Sequence, residues 1–192
     1  MSGSGSKQEV EIKLRLDSAA EGRRLLYKAG FRVSRRRAHE DNIVFDTPEH
    51  TFRSRGLLLR LRRCGRQFTL TFKGPATTGK HKSRRELETS VHDPDTLEDI
   101  FLLLGFIRVF RYEKYRTEYL CRNCRVVATV DETPVGVFIE LEGEPSAIDR
   151  IAERLGFKEV DYITESYADL YQSFRRRSGS VADRMVFRRG RV

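Results

Sequence analysis

The 192-residue sequence predicts an α+β fold: a closed eight-stranded antiparallel β-barrel, a tunnel with a polar lumen, flanked by α-helices. Three observations predict it. The segment from Glu9 to Leu16 alternates without a break, placing Glu9, Glu11, Lys13 and Arg15 on one strand face and Val10, Ile12, Leu14 and Leu16 on the other. Later segments repeat the pattern, with charged residues on one face and aliphatic ones on the other. Between them lie amphipathic helical segments that need a surface to cover. If the helices cover the aliphatic strand faces, the charged faces must turn toward one another around water, which calls for a closed barrel. An interior of that kind is costly unless ions and a ligand complete it.

In chain order, Asp17 or Ser18 caps a helix running to about Lys28, with Leu25, Leu26 and Ala29 inward and Gly30 ending it. Arg35-Arg36-Arg37 reads as a solvated edge or loop, and Asp41 to Thr47 as a short strand stopped by Pro48. Gly56 to Arg63 sets Arg60 and Arg62 opposite Leu57, Leu59 and Leu61. Cys64-Gly65-Arg66 turns the chain into Gln67 to Lys73, where Phe68, Leu70 and Phe72 alternate with Thr69, Thr71 and Lys73. Gly74-Pro75 ends that strand, and Ala76 to Ser83 reads as a mobile loop. From Arg84 to Thr89 the two-residue period resumes, with Arg84, Glu86 and Glu88 sharing a face.

Asp93-Pro94 starts a helix whose Leu97, Ile100, Phe101 and Leu104 predict core packing. Three strands follow: Tyr112 to Cys121 aligns Lys114, Arg116 and Glu118, Arg125 to Asp131 aligns Val127, Thr129 and Asp131, and Val135 to Glu142 aligns Glu140 and Glu142. A helix opens at Glu144-Pro145-Ser146 with Ile148, Ile151, Ala152 and Leu155 inward, and a last one from about Thr164 presents Tyr167, Leu170, Tyr171 and Phe174.

This organisation is one domain over residues 9–174, preceded by a flexible segment, residues 1–8. From Arg175 to Val192 the chain holds seven arginines and one acid, and is expected to be disordered or weakly helical. No apolar run approaches the roughly 18 residues of a membrane span, and Met1 to Ser6 lacks the pattern of a signal peptide. The expectation is a soluble, cytoplasmic protein with no membrane partner, either monomer or homodimer. Three cysteines, Cys64, Cys121 and Cys124, in such a chain predict reduced thiols, with Cys121 to Cys124 forming a tight turn. A net charge of +9 predicts attraction to polyanions.

Strand parity assigns to the lumen the cations Lys13, Arg60, Arg62, Lys73, Arg84, Lys114 and Arg116 and the anions Glu9, Glu11, Glu86, Glu88, Asp131, Glu140 and Glu142. Carboxylate pairs two residues apart recur on three strands, and hard oxygen donors of that kind suit Mg²⁺ or Mn²⁺. The arginines and lysines suit phosphate oxygens, arginine as a bidentate fork and lysine as a point charge. The chemistry points to a tunnel binding a divalent metal and a polyphosphate.

Glu9-x-Glu11-x-Lys13, Phe45-Asp46-Thr47, Leu59-Arg60-Leu61-Arg62, Thr71-Phe72-Lys73-Gly74-Pro75, Arg84-Arg85-Glu86-Leu87-Glu88, Lys114-Tyr115-Arg116, Val130-Asp131 and Ile139-Glu140-Leu141-Glu142 together resemble the CYTH superfamily, the triphosphate tunnel metalloenzymes. Ser166 to Leu170 resembles the end of class IV adenylyl cyclases. The resemblance implies that Glu9, Glu11, Glu140 and Glu142 hold metal, with Glu86, Glu88 and Asp131 as supporting carboxylates. It implies that Lys13, Arg60, Arg62, Lys73, Lys114 and Arg116 grip phosphates, with Arg84 or Arg85 joining them, and that Lys13, Glu9 and Glu11 belong to the catalytic centre. Some members carry a tyrosine before Asp-Thr. Here Val44 and Phe45 stand there, which speaks against a mechanism through that tyrosine. His39, His50, His81 and His92 are all expected in or near loops, which speaks against a histidine base or ligand, and least strongly for His81 in the loop after Lys73.

The leading expectation is a metal-dependent phosphohydrolase acting on tripolyphosphate, thiamine triphosphate or a nucleotide such as ATP. The rival is a class IV adenylyl cyclase, in which the ribose 3′-oxygen attacks the α-phosphorus and pyrophosphate leaves. A third reading is a non-catalytic polyphosphate or RNA-binding module, with the basic tail supplying weak nucleic-acid contact. Carboxylates inside a purely anion-binding tunnel weigh against it.

Overall fold

The computed structural model describes residues 7–77, 79–122, 124–179 and 183–188. Among them the strands are β1 (Lys7–Leu16), β2 (Arg32–Asp46), β3 (Leu58–Cys64), β4 (Gln67–Lys73), β5 (Lys82–Val91), β6 (Ile107–Leu120), β7 (Val126–Thr133) and β8 (Gly136–Gly143). They close a barrel in the order β1, β5, β4, β3, β2, β6, β7, β8. Every neighbouring pair is antiparallel. The helices are α1 (Ala19–Lys28), α2 (Thr51–Ser54), α3 (Pro94–Leu103), α4 (Pro145–Arg154) and α5 (Tyr167–Ser178).

The alternation decides which face each helix meets. Ile12, Leu14, Val130, Ile139 and Leu141 point outward and are buried beneath Leu26 and Ala29 of the α1 region and Ile148, Ile151 and Ala152 of α4. Each fully buried aliphatic side chain of this kind stabilises the fold by about 1.5–3 kcal/mol. Ser18 caps α1 by accepting from the Glu21 backbone N–H, while Glu21 accepts from the Asp17 N–H. Gly22 lets α1 lie close to the barrel, because a Cβ there would stand 2.6 Å from Leu16 Cδ1 and 3.0 Å from Val130 Cγ2.

On the opposite side, Phe52 of α2 and Leu97 and Phe101 of α3 pack over Phe45, Leu59 and Leu61. The expected core helix is thinner than its sequence suggests. None of its residues is fully buried, and Ile100, Leu102, Leu103 and Leu104 are exposed, because α3 turns only one stripe toward the sheet.

Several boundaries differ from expectation. Arg35-Arg36-Arg37 and His39 lie within β2, not in a loop, because β2 pairs along most of the length of β6 with local register shifts. The three arginines are solvent-exposed, as expected. β5 begins at Lys82, inside the segment expected to be loop. Cys121 and Cys124 form a disulfide instead of free thiols, the β6–β7 turn bringing their Cα atoms to 5.2 Å, within the usual range for a bridge. Cys64 is free.

Part of the tail, for which the expectation is disorder or weak helix, falls among the described residues. α5 continues to Ser178, and beyond it Met185 is fully buried with Tyr112, Phe138, Tyr167, Leu170 and Tyr171. Met185 N–H donates to the Arg111 carbonyl at 3.0 Å and its own carbonyl accepts from Glu113 N–H at 2.8 Å, adding a parallel bridge beside β6. Residues 1–6, 180–182 and 189–192, on which the rest of the terminal expectations fall, lie outside the described residues. No helix among the described residues is long and apolar enough to cross a membrane.

Candidate active site

The lumen-facing side chains surround a cavity of about 1250 Å³. All the residues that strand parity assigned to the lumen line it except Asp131. Arg84 lines it, whereas Arg85, on the opposite parity, is exposed on the outside.

One set of charges gathers on β1, β4 and β5. Lys73 Nζ donates to both Glu9 oxygens at 2.7 and 2.8 Å and lies 3.1 Å from Glu86. Arg84 Nε donates to Glu9 at 3.1 Å. Lys13 Nζ sits 3.3 Å from Glu11 and 3.4 Å from Glu140, bridging β1 to β8. Burial works to raise the Glu11 carboxyl, but Lys13, Lys73 and Lys82 overcome it and hold it down at about 2. Burial likewise opposes the Lys13 charge, yet Glu11 and Glu140 raise its pKa above the ordinary lysine value. Both stay ionised near neutral pH. Burial carries Glu86 above the ordinary carboxylate value despite Lys73, with Glu9 and Glu88 adding to the rise.

A second set lies on β6, β7 and β8 and centres on Asp131, which has no solvent exposure. It accepts from Lys114 at 2.8 Å, from Arg116 at 2.7 and 2.5 Å and from the Tyr167 hydroxyl of α5 at 2.8 Å. Arg116 also donates to Glu140. Asp131 thus stands behind the cavity wall and orients the two cations that face it.

The third set lies on β2 and β3. Arg60 donates to the Tyr112 hydroxyl at 3.2 Å and to Thr71 at 3.0 Å, and Thr71 in turn donates to Glu88 at 2.7 Å. Arg62 Nε donates to Asn42 at 3.3 Å. Glu40 lies 3.6 Å from both Arg62 and Lys114. Burial would raise Glu40, but Lys114, Arg116, Arg62 and Arg60 hold it at about 2. Burial and the neighbouring Arg60 press Arg62 below the ordinary arginine value even with Glu40 beside it. Among the described residues, Arg60 Nε and Glu40 Oε2 are buried without a hydrogen-bond partner.

Sequence reasoning missed Glu40, Asn42, Tyr112 and Lys82. Carrying the two-residue period back from Asp46 would have placed Glu40 and Asn42 inside. Carrying it back from Arg84 would have done the same for Lys82, which is buried, lines the cavity and is lowered to about 8 by burial and by Lys13 and Arg84.

The donor chemistry fits a divalent metal: Glu9 and Glu11 on β1 adjoin β8, with Glu11 in register with Glu142 and Lys13 with Glu140. As the side chains stand, Glu9, Glu11 and Glu140 face lysines and arginines, and among the described residues no three acidic, histidine or cysteine side chains converge on one point. A metal held here would draw these oxygens away from their cations. Of the histidines, His81 bonds Asp149 of α4 at 2.8 Å, and His39 lies 3.7 Å from Glu113.

The profile of the CYTH domain matches residues 7–167. A protein of Methanocaldococcus jannaschii named "Putative adenylate cyclase MJ0240" is 31% identical over 173 residues, which cover 84% of this chain and 97% of that one. The PH1819 protein of Pyrococcus horikoshii superposes with a TM-score of 0.74 at 28% identity, over 87% of this chain and 99% of that one. A Hippeastrum protein described as "Putative adenylyl cyclase HpAC1", with a dominant triphosphatase activity, superposes with a TM-score of 0.62 at 20% identity over 91% and 97% of the two chains, a likeness of fold. With the profile spanning most of its length on a barrel of this architecture, the chain belongs to the CYTH domain family.

Proposed function

We propose that this protein is a divalent-metal-dependent phosphohydrolase that binds an inorganic or organic triphosphate inside the barrel. The observation that carries the reading is the gathering of Arg60, Arg62, Lys114 and Arg116 around Glu40 in the lumen, with Arg62 crowded by Arg60 and Arg116, and Arg60 Nε buried and without an acceptor among the described residues. Buried guanidiniums pressed together by like charge are stabilised by a polyanion.

Lys13, Lys73, Arg84 and the arginine stretch bind and align the phosphate chain. Asp131 and Tyr167 fix Lys114 and Arg116 from behind, so these cations are preorganised where charge develops. Water adds its oxygen to the terminal phosphorus, the bridging P–O bond breaks, and tripolyphosphate yields orthophosphate and pyrophosphate, the water's protons passing to the products and solvent. The cations take up the charge on the leaving oxygen. Glu9, Glu11, Glu140 and Glu142 are the residues that would hold Mg²⁺ or Mn²⁺, with Glu86 and Glu88 in support, and when bound it supplies charge neutralisation and polarises the phosphorus. The reading carries with it a cytoplasmic location and the triphosphate as the main partner.

A second reading, cyclisation of ATP to cyclic AMP and pyrophosphate, is favoured by the name of the Methanocaldococcus relative. One incubation series decides: ATP, tripolyphosphate and thiamine triphosphate, each with Mg²⁺ and with Mn²⁺, followed for orthophosphate, pyrophosphate and cyclic AMP. Orthophosphate without cyclic AMP supports the hydrolase, and equal cyclic AMP and pyrophosphate from ATP replaces it with the cyclase. Tight polyanion binding without any product overturns both.

A further inference from the structure

We infer that Lys82 is a phosphate-binding residue of the tunnel, and that the loop before it is latched to α4 so as to present it. This rests on the triphosphate reading and adds a residue and an element to it. Lys82 opens β5, in register with Glu11 of β1, and its side chain is buried while lining the cavity. Its ammonium lies 3.5 Å from Glu11 Oε1. That same oxygen is 3.3 Å from Lys13 and 3.9 Å from Arg84. One carboxylate oxygen thus faces three cations, while Glu9, the next acid along β1, is taken by Lys73 and Arg84. Burying an ammonium is costly without strong compensation, and here the compensation is shared three ways. An anionic ligand in the cavity supplies the missing partner, and phosphate oxygens are the ligand chemistry that this lumen offers its other cations.

The placement of Lys82 is built and not incidental. Directly before it, His81 bonds Asp149 at 2.8 Å, and Lys80 lies 3.1 Å from both Asp149 and Glu159. The Tyr162 hydroxyl donates to the same Asp149 at 3.2 Å. Thr77 and Ser83 close the base of the loop through backbone hydrogen bonds of 2.8 and 3.4 Å. The residue after Tyr162, Ile163, exchanges backbone hydrogen bonds of 2.9 Å with Lys13. Latch and lumen thereby share one frame, which carries both Lys82 and Lys13.

The test is calorimetric titration of the full chain with tripolyphosphate and, separately, ATP, without turnover, comparing the wild type with Lys82→Met and Lys82→Arg. Lys82→Met is expected to weaken tripolyphosphate binding by about 10-fold or more, the size of a lost charge-assisted hydrogen bond, and Lys82→Arg to stay within about threefold of the wild type. Equal binding by wild type and Lys82→Met overturns the assignment and leaves Lys82 as a counter-ion of Glu11, with the triphosphate reading intact. No binding of either ligand by the wild type overturns both. Should Lys82→Met fail to fold, the wild-type Lys82 side-chain ¹⁵Nζ resonance, assigned with Lys82→Arg, is expected to shift on adding tripolyphosphate, and an unmoved resonance overturns the assignment.

Discussion

The two walls of the barrel handle charge differently. On the wall of β6, β7 and β8, backed by the large aliphatic cluster under α1 and α4, Asp131 is saturated by Lys114, Arg116 and Tyr167. On the wall of β2 to β5, backed by the short α2 and the thinly buried α3, Arg62 is crowded by Arg60, and Arg60 Nε has no acceptor among the described residues. The difference teaches that a buried charge serves the fold where its partners are complete and serves a ligand where they are not.

The largest expected effect is on the saturated wall. Asp131→Asn removes the negative charge that Lys114 and Arg116 share and sets an amide N–H donor against them in place of one carboxylate oxygen, and should lower stability by about 3–5 kcal/mol. Urea unfolding measures it, and a change below about 1 kcal/mol would erase the contrast between the walls.

Arg62→Met sharpens the comparison from the other side. It relieves like-charge crowding, so the melting temperature should hold or rise, while kcat/KM on the substrate identified by the incubation series falls about 100- to 1000-fold, as for loss of one transition-state donor. A variant that loses stability in step with activity would place Arg62 with the structural charges.

Glu40 sits at the junction, reaching Arg62 on β3 and Lys114 on β6. Its folded pKa, about 2, lies below the ordinary 4.5. The stability it contributes is therefore fully present above about pH 4.5 and is lost as pH falls through 2. Glu40→Gln should be less stable than the wild type by about 3 kcal/mol at pH 7, with the gap narrowing by about 1 kcal/mol at pH 3.5. A gap of constant size across that range would mean that the carboxylate charge is not what Glu40 contributes.

Where sequence reading fell short, it did so for identifiable reasons. The interior placement of Glu9, Arg60, Lys114 and Glu140 follows from a two-residue period that needs no knowledge of neighbours. Lys82 and Glu40 obey the same period, but Lys82 opens β5 and Glu40 lies in the middle of β2, just before the strand that the sequence predicts from Asp41, each beside residues that look like loop. The length of β2 and β5 there depends on β6, β1 and the latch on Asp149. The exposed leucines of α3 misled for a related reason: an apolar run does not say how much of a helix a sheet will cover.

By itself, then, the sequence determined the alternating strands, the polar lumen, the capped helices and the charged character of the inward side chains, because side-chain direction along a strand is a local property. Only the tertiary structure decided which cation faces which carboxylate. It set Asp131 beneath Lys114 and Arg116, left Arg60 Nε without an acceptor among the described residues, brought Lys82 beside Glu11 and buried Met185 beside β6. Those outcomes depend on the register and closure of eight strands, and register joins residues far apart in the chain through contacts that no local pattern encodes.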